Sequence, residues 1–214
     1  MAEGIGGIFF GEWKAVLSTL KNAPRDFKNA KRVALLQEAE FYRTQLVRGI
    51  RSQAPGGKTF VPLSPTTIAL RKFFGFRGTK ALVRRSDLVN AITVHELHDA
   101  EDSVFVGVQR NAKNEKGESL VDIAKLNEYG SKPIVIKITP KMAALLHMAF
   151  RKANLLGPLR PSTGVITVQI PARPFMGPVF EKFAEPTEAS KRFAERFQKA
   201  MAGKGVWSAV KETI

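Results

Sequence analysis

Between Asp26 and Arg51, Val33, Leu36, Ala39, Tyr42, Leu46 and Ile50 recur every three or four residues, the spacing that lines one face of an α-helix. Lys28, Lys31, Arg32, Arg43 and Arg48 fall largely off that stripe. Asp26 stands where an N-cap belongs, so the pattern predicts a long helix from there to about Arg51. A shorter helix, EWKAVLSTLK (Glu12 to Lys21), precedes it, and Asn22-Ala23-Pro24 is expected to separate the two. Residues 1–25 are thus an N-terminal arm with a short helix.

The texture then changes. Prolines at 55, 62 and 65 and glycines at 56, 57, 75 and 78 break any long element between Ser52 and Arg85. Ser64-Pro65 opens a short helix, TTIALRKF, and the rest of 52–85 is expected to be an extended basic arm. Ser86-Asp87 starts a turn of helix that leads into a strand, NAITVHEL; HDAED turns, and SVFVGVQR returns with Val104, Val106 and Val108 on one face. After the polar loop RNAKNEKGES, Leu120 to Tyr129 is helical and Gly130 supplies a left-handed cap. IVIKI is a third strand, Thr139-Pro140 opens the amphipathic helix KMAALLHMAFRKANLL, ended by Gly157-Pro158, and GVITVQI is a fourth strand. A final helix, Thr187 to about Met201, carries Phe193, Phe197 and Ala200 on one side. This order predicts an α+β fold: a small antiparallel sheet flanked by the long N-terminal helix and C-terminal helices, with extended arms. Residues 26–185 form its core, and 186–214 are a C-terminal helix and tail.

Charge narrows the partners. The chain carries a formal +15, distributed unevenly: residues 1–90 hold sixteen Lys/Arg against six Asp/Glu. Such an excess points to nucleic acid, an anionic membrane or an acidic protein neighbour. No apolar run approaches about 18 residues, so no membrane span is expected. The start, MAEGIGGIFFGEW, carries Glu3 and no basic leader, so it does not read as a signal peptide. The absence of cysteine removes disulfides, thiolate chemistry and cysteine zinc sites, and the expected compartment is a reducing cytoplasm.

Reactive constellations are weak. APGGKT at 54–59 resembles the end of a phosphate-binding loop, but position 52 is Ser52 where the first glycine belongs, and a helix rather than a strand precedes it. His95, His98, Asp99, Glu101 and Asp102 are the densest set of ligand types, yet His95 and His98 are spaced for opposite faces of a strand, which makes a solvated hairpin turn. His147 sits at the boundary of an amphipathic helix, and no serine or threonine has an obvious histidine partner. The reading is therefore no enzyme, with no cofactor and no metal. The run RKFFGFRGTKALVRR draws more attention, because Arg71, Lys72, Arg77, Lys80, Arg84 and Arg85 interleave with Phe73, Phe74 and Phe76. Cations and rings in that mixture suit single-stranded nucleic acid. The better account is an arm whose phenylalanines dock on a neighbouring subunit, since exposed ones would be an aggregation liability.

Several blocks taken in order, Phe60–Lys72, Ala81–Val94, Val104–Val108, Ala124–Ser131 and Pro171–Phe180, resemble the virion-morphogenesis and tail-completion (neck) proteins of long-tailed bacteriophages, including the Mu-type morphogenesis protein and siphophage neck proteins. The pair Glu-Tyr-Gly and Pro-Ala-Arg-Pro-Phe is the most distinctive. Ile134 to Thr163 is longer than the family's connection and reads as an insertion, and Ser86 or Asp87 stands where the family's Leu-Val-x-x-Gly-x-Leu pattern has glycine. The resemblance implies a structural virion protein at the head-tail junction, a hexamer or other closed ring joining head-completion and connector proteins to tail terminator or tail-tube proteins. Genomic DNA would pass through its lumen, with the protein in the host cytoplasm during assembly. Its cations would face that DNA or an acidic neighbouring ring. The alternatives are a nucleic-acid-binding module using 71–85 and a tail terminator or baseplate subunit. Within the resemblance, Glu128, Gly130, Arg173, Pro174 and Phe175 are the structural or interface residues. Pro171 and Pro174 stiffen the approach to a helix PFMGPVFEKF, with Pro174 in its first turn, and aim Arg173 in one direction. Arg173 is expected to pair with Glu128.

Overall fold

The computed structural model describes residues 12–97, 103–154 and 164–203, with side chains from residue 21 onward. Among these the fold is α+β, as expected: helices dominate and the strands form two separate two-stranded antiparallel sheets. The chain divides into two compact units, one of Met1–Glu40, Glu96–Val104 and Pro186–Ile214, the other of Phe41–His95 and Phe105–Glu185. Helix α1, Glu12–Ser52, supplies segments to both.

Proline 24 does not separate two helices. It lies inside α1, and Asp26 is an interior residue beside Arg25 (3.7 Å) rather than an N-cap. A mid-helix proline removes one amide donor and crowds the preceding turn, a penalty of about 3 kcal/mol, which 28 further helical residues outweigh by continuing the ladder. The apolar stripe also shifts along the helix. Tyr42, Leu46 and Ile50 are buried as expected, but Val33 is 41% exposed while Ala30 and Ala34 are buried. Small side chains face inward in this first unit, where α7, Pro186–Ala202, is held close: Phe27 meets Phe197 edge-on at 5.0 Å, and Phe193 stacks on Phe197. Arg192 donates to Glu38 at 2.7 Å, and Arg196 pairs with the other oxygen of the same carboxylate. Arg32 donates to both oxygens of Glu96.

The second unit holds the main core. Tyr42, Leu46 and Ile50 pack with Phe60, Ala81, Leu88, Val89, Ile92, Ala124, Phe175 and Val179. Burying each large apolar side chain contributes about 1.5–3 kcal/mol. Phe60 and Ala81 belong to the stretch expected to be an extended arm. That stretch holds the expected short helix, α2, Pro65–Phe73, whose N-cap Ser64 accepts from the Thr67 amide, and also a 3₁₀ turn at Pro55–Gly57. Its apolar residues have a core to enter, so they do not extend.

Helix α3, Asp87–Asn90, leads to strand β1, Ile92–Glu96, which pairs with β2, Val104–Val108. Helix α4, Leu120–Tyr129, starts from the Ser119 cap. Strands β3, Ile134–Lys137, and β4, Val165–Val168, pair antiparallel with Ile134 opposite Val168 and Ile136 opposite Ile166. Between them α5, Pro140–Lys152, packs on α2, with Ala149 and Ala69 fully buried. Helix α5 ends at Lys152, and the Gly157-Pro158 stop lies outside the described residues, as do His98, Asp99, Glu101 and Asp102. Among the described residues no helix is long and apolar enough to cross a membrane.

Ser86 sits at φ 64°, ψ 9° and makes no side-chain cap. Its Cβ bears a left-handed strain of about 1–2 kcal/mol that glycine lacks. Ser86→Gly should therefore stabilise the fold by about 0.5–1 kcal/mol after glycine's entropy cost, whereas Ser86→Ala should not, in paired denaturant melts; equal effects of the two would refute the strain. Pro24→Ala should raise the unfolding free energy by up to about 3 kcal/mol, and a lower value in denaturant melts would mean the helix does not run through that position.

Candidate functional site

Helix α6, Gly177–Phe183, is seven residues long and would not form alone. Its first amides need an acceptor, and the chain offers no Ser, Asn or Asp at the cap, where Met176 stands. The acceptor is Glu128. Its Oε2 accepts from the amides of Phe175 (2.8 Å) and Met176 (3.1 Å), and its Oε1 from Gly177 (2.9 Å). One carboxylate from the last turn of α4 thus takes three consecutive amides at the positive end of another helix, an arrangement favoured by hydrogen bonding and dipole together.

Arg173 lies just upstream, and it does not pair with Glu128. The residue is buried, 6% exposed, and its Nε donates to the Val61 carbonyl at 2.7 Å and its Nη2 to Pro62 at 3.1 Å. Its own amide donates to the Asn127 carbonyl at 2.6 Å, one of the carbonyls left over at the end of α4. The expected ion pair fails because both charged groups have better-placed backbone partners. Glu128 is committed to helix amides, and Arg173 to the carbonyls of Val61 and Pro62, the second of which precedes a residue, Leu63, packed on the core. Burial lowers the Arg173 pKa, and a guanidinium still keeps its proton.

Pro174 is also not in the helix: α6 begins three residues later with Pro178 in its first turn, because the amides of 175–177 face a side-chain carboxylate rather than continuing a helix backwards. Phe175 is fully buried in the core. Gly130 has the positive φ expected of a cap, 78°, but ψ is 179°, not left-handed. A Cβ there would lie 3.0 Å from the Ala172 nitrogen and 3.1 Å from the Ile170 carbonyl, so the glycine lets the 170–172 segment pass. Ser131 closes the junction, its amide donating to Ile170 and its hydroxyl accepting from the Ile170 amide. The glycines of APGGKT have a structural reason of the same kind: a Cβ on Gly56 would fall 2.1 Å from the Pro178 carbonyl oxygen.

The basic-aromatic run 71–85 lies on the same unit. Lys72, Phe74, Arg77, Lys80, Arg84 and Arg85 are exposed, while Arg71, Phe73 and Phe76 are half-buried. Much of its charge is turned inward. Arg71 donates to the Lys80 carbonyl, and the Arg84 and Arg85 guanidinium groups lie 4.5 and 5.3 Å from the Phe76 ring centre. Arg85 also pairs with Glu115, and Lys152 lies 5.7 Å over Phe73. The Arg71 pKa is lowered, first by burial and then by the charges of Arg84 and Arg173, which marks a concentration of positive charge.

Two further concavities were not anticipated. Arg43, Thr44, Val47, Arg48, Arg51 and Ser52 line a groove of 620 Å³ on α1, and Arg48 and Ser52 also line a second of 420 Å³ that reaches Gln45, Gly56, Gly57 and Lys182. The signal was present in the sequence, since residues 43–85 hold ten Lys/Arg and no carboxylate. No family model, curated protein or solved structure matches the chain.

Glu128→Ala should cost about 2–4 kcal/mol by leaving three amides unsatisfied, and Arg173→Ala about 3 kcal/mol for two charge-assisted bonds. Arg173→Lys should recover little, because an ammonium lacks the guanidinium fork. The exchange variant Arg173→Glu with Glu128→Arg should be less stable than either single change in chemical denaturation; any rescue would restore the direct ion pair that the geometry replaces.

Proposed function

We propose that the chain is a structural subunit of a phage head-tail junction, a neck or tail-completion protein that assembles into a closed ring around the DNA channel and joins connector to tail. The observation that carries this reading is where three blocks of the resemblance meet. Residues from 60–72, 124–131 and 171–180 converge on one junction, and their charged groups are spent on backbone amides and carbonyls. Residues committed in that way hold a scaffold and leave no reacting pair, which suits a subunit that works by shape and assembly. Unpartnered apolar surface on the β3–β4 ribbon, Ile134, Val135 and Val165, together with Phe74, supplies contact area for neighbouring copies. The acid-free run from Arg43 to Arg85 gives such a ring a cationic surface for DNA or an acidic neighbouring ring.

A nucleic-acid-binding module is the second reading, favoured by Phe74, 59% exposed beside Lys72 and Arg77. One experiment separates the two. The purified full chain, examined by sedimentation and electron microscopy over a wide concentration range, should form closed rings with a central opening, and its dilute monomer should bind single-stranded DNA only weakly. A chain that stays monomeric throughout and binds single strands at submicromolar concentration, with a steep salt dependence, would overturn the ring in favour of the module.

A further inference from the structure

We infer that the cations which meet nucleic acid are Arg48 and Arg51, in a trough along the second half of α1, and that the ligand is the phosphodiester backbone of duplex DNA. This rests on the reading of a DNA-passing subunit for its biological setting, but the trough follows from other observations. The two grooves adjoin at Arg48 and Ser52, which line both. Arg48 and Arg51 are exposed and one helical turn apart, about 5–6 Å between their β-carbons. Thr44 and Gln45 line the same concavities, so the lining carries the side-chain types that contact phosphate, and it contains no carboxylate. Ser52 is not a donor to this ligand, because its hydroxyl already donates to the Gly49 carbonyl.

The negative end of α1 would weaken an anion site placed there. Lys80 offsets it: its Nζ donates to the Arg51 carbonyl at 2.8 Å, which puts an ammonium on the helix terminus beside Arg51. By contrast, three of the 71–85 arginines are engaged within the fold, Arg71 on a carbonyl, Arg84 and Arg85 on the Phe76 face and Arg85 on Glu115. Exposed guanidinium groups one helical turn apart, with no carboxylate in the lining, match a regularly charged backbone.

The test is a salt titration of labelled duplex DNA binding to the full chain at ring-forming concentration. Each phosphate contact contributes about 0.9 to the log-log slope. The double variant Arg48→Gln/Arg51→Gln should therefore lower that slope by about 1.8 and weaken binding alike for all sequences, with its circular dichroism unchanged because both side chains are on the surface. Arg84→Gln/Arg85→Gln should leave the slope nearly intact. The reverse pattern would overturn the trough while leaving the ring untouched. If duplex DNA fails to bind but polyglutamate binds and is lost in Arg48→Gln/Arg51→Gln, the ligand assignment falls and an acidic protein takes its place. Absence of rings by microscopy would overturn the functional reading independently of either slope.

Discussion

The second unit depends on one carboxylate taking three amides. A seven-residue helix has more unsatisfied end groups than internal bonds, so α6 exists only where something outside it accepts from its first turn. Glu128 does so from the last turn of α4, and several contacts then become possible. Phe175 and Val179 enter the core, and Pro178 seats against Gly56. At the other end of α6, the Tyr42 hydroxyl donates to the Phe183 carbonyl at 2.9 Å. With 175–177 fixed, the short proline-stiffened lead-in has one direction left, and Arg173 is delivered to Val61 and Pro62. The glycine-rich stretch after α1 is thereby fastened by a buried cation although its own sequence offers no regular ladder.

Elements whose identity is set locally were legible in the sequence. Helix α4 was readable from Leu120 to Tyr129, and α2 and α5 from their Ser-Pro and Thr-Pro openings, because such signals are encoded within a dozen residues. The β strands were legible for the same reason, but their division into two sheets was not, since β-branched residues announce extension and not partners. Pro24 misled because its local penalty is small beside a 41-residue ladder. Val33 misled because periodicity is blind to the size of the helix that packs there, and Ala30 and Ala34 permit a closer approach than valine would.

The candidate site was legible in its members and not in its bonds. Glu128, Gly130, Arg173 and Phe175 meet at one junction, which the resemblance had grouped. Pairing opposite charges is the natural inference from side chains alone, and it fails because backbone groups do not appear in a sequence as partners. A helix end presents several amides at once to a carboxylate, and a loop carbonyl accepts a guanidinium N–H without bringing a counter-charge into the interior. Glu128 and Arg173 are each satisfied by dipoles, so the two charges stand near one another without being a pair.

That separation has a consequence for the charge of the whole surface. Arg173 remains a buried positive charge whose hydrogen bonds go to carbonyls, and its field reaches Arg71, where Arg84 adds to it. Residues 43–85 hold ten Lys/Arg and no carboxylate, so the segment's charges repel one another. Self-repulsion of that size is tolerated where an external polyanion removes it, because releasing condensed counterions from a phosphate backbone returns free energy that an isolated chain cannot obtain. The same argument explains why the cations are divided into two populations. Arg71, Arg84 and Arg85 are held on a carbonyl and a ring, where they stiffen the segment, and Arg48 and Arg51 stand exposed one turn apart on a helix, which keeps their spacing fixed.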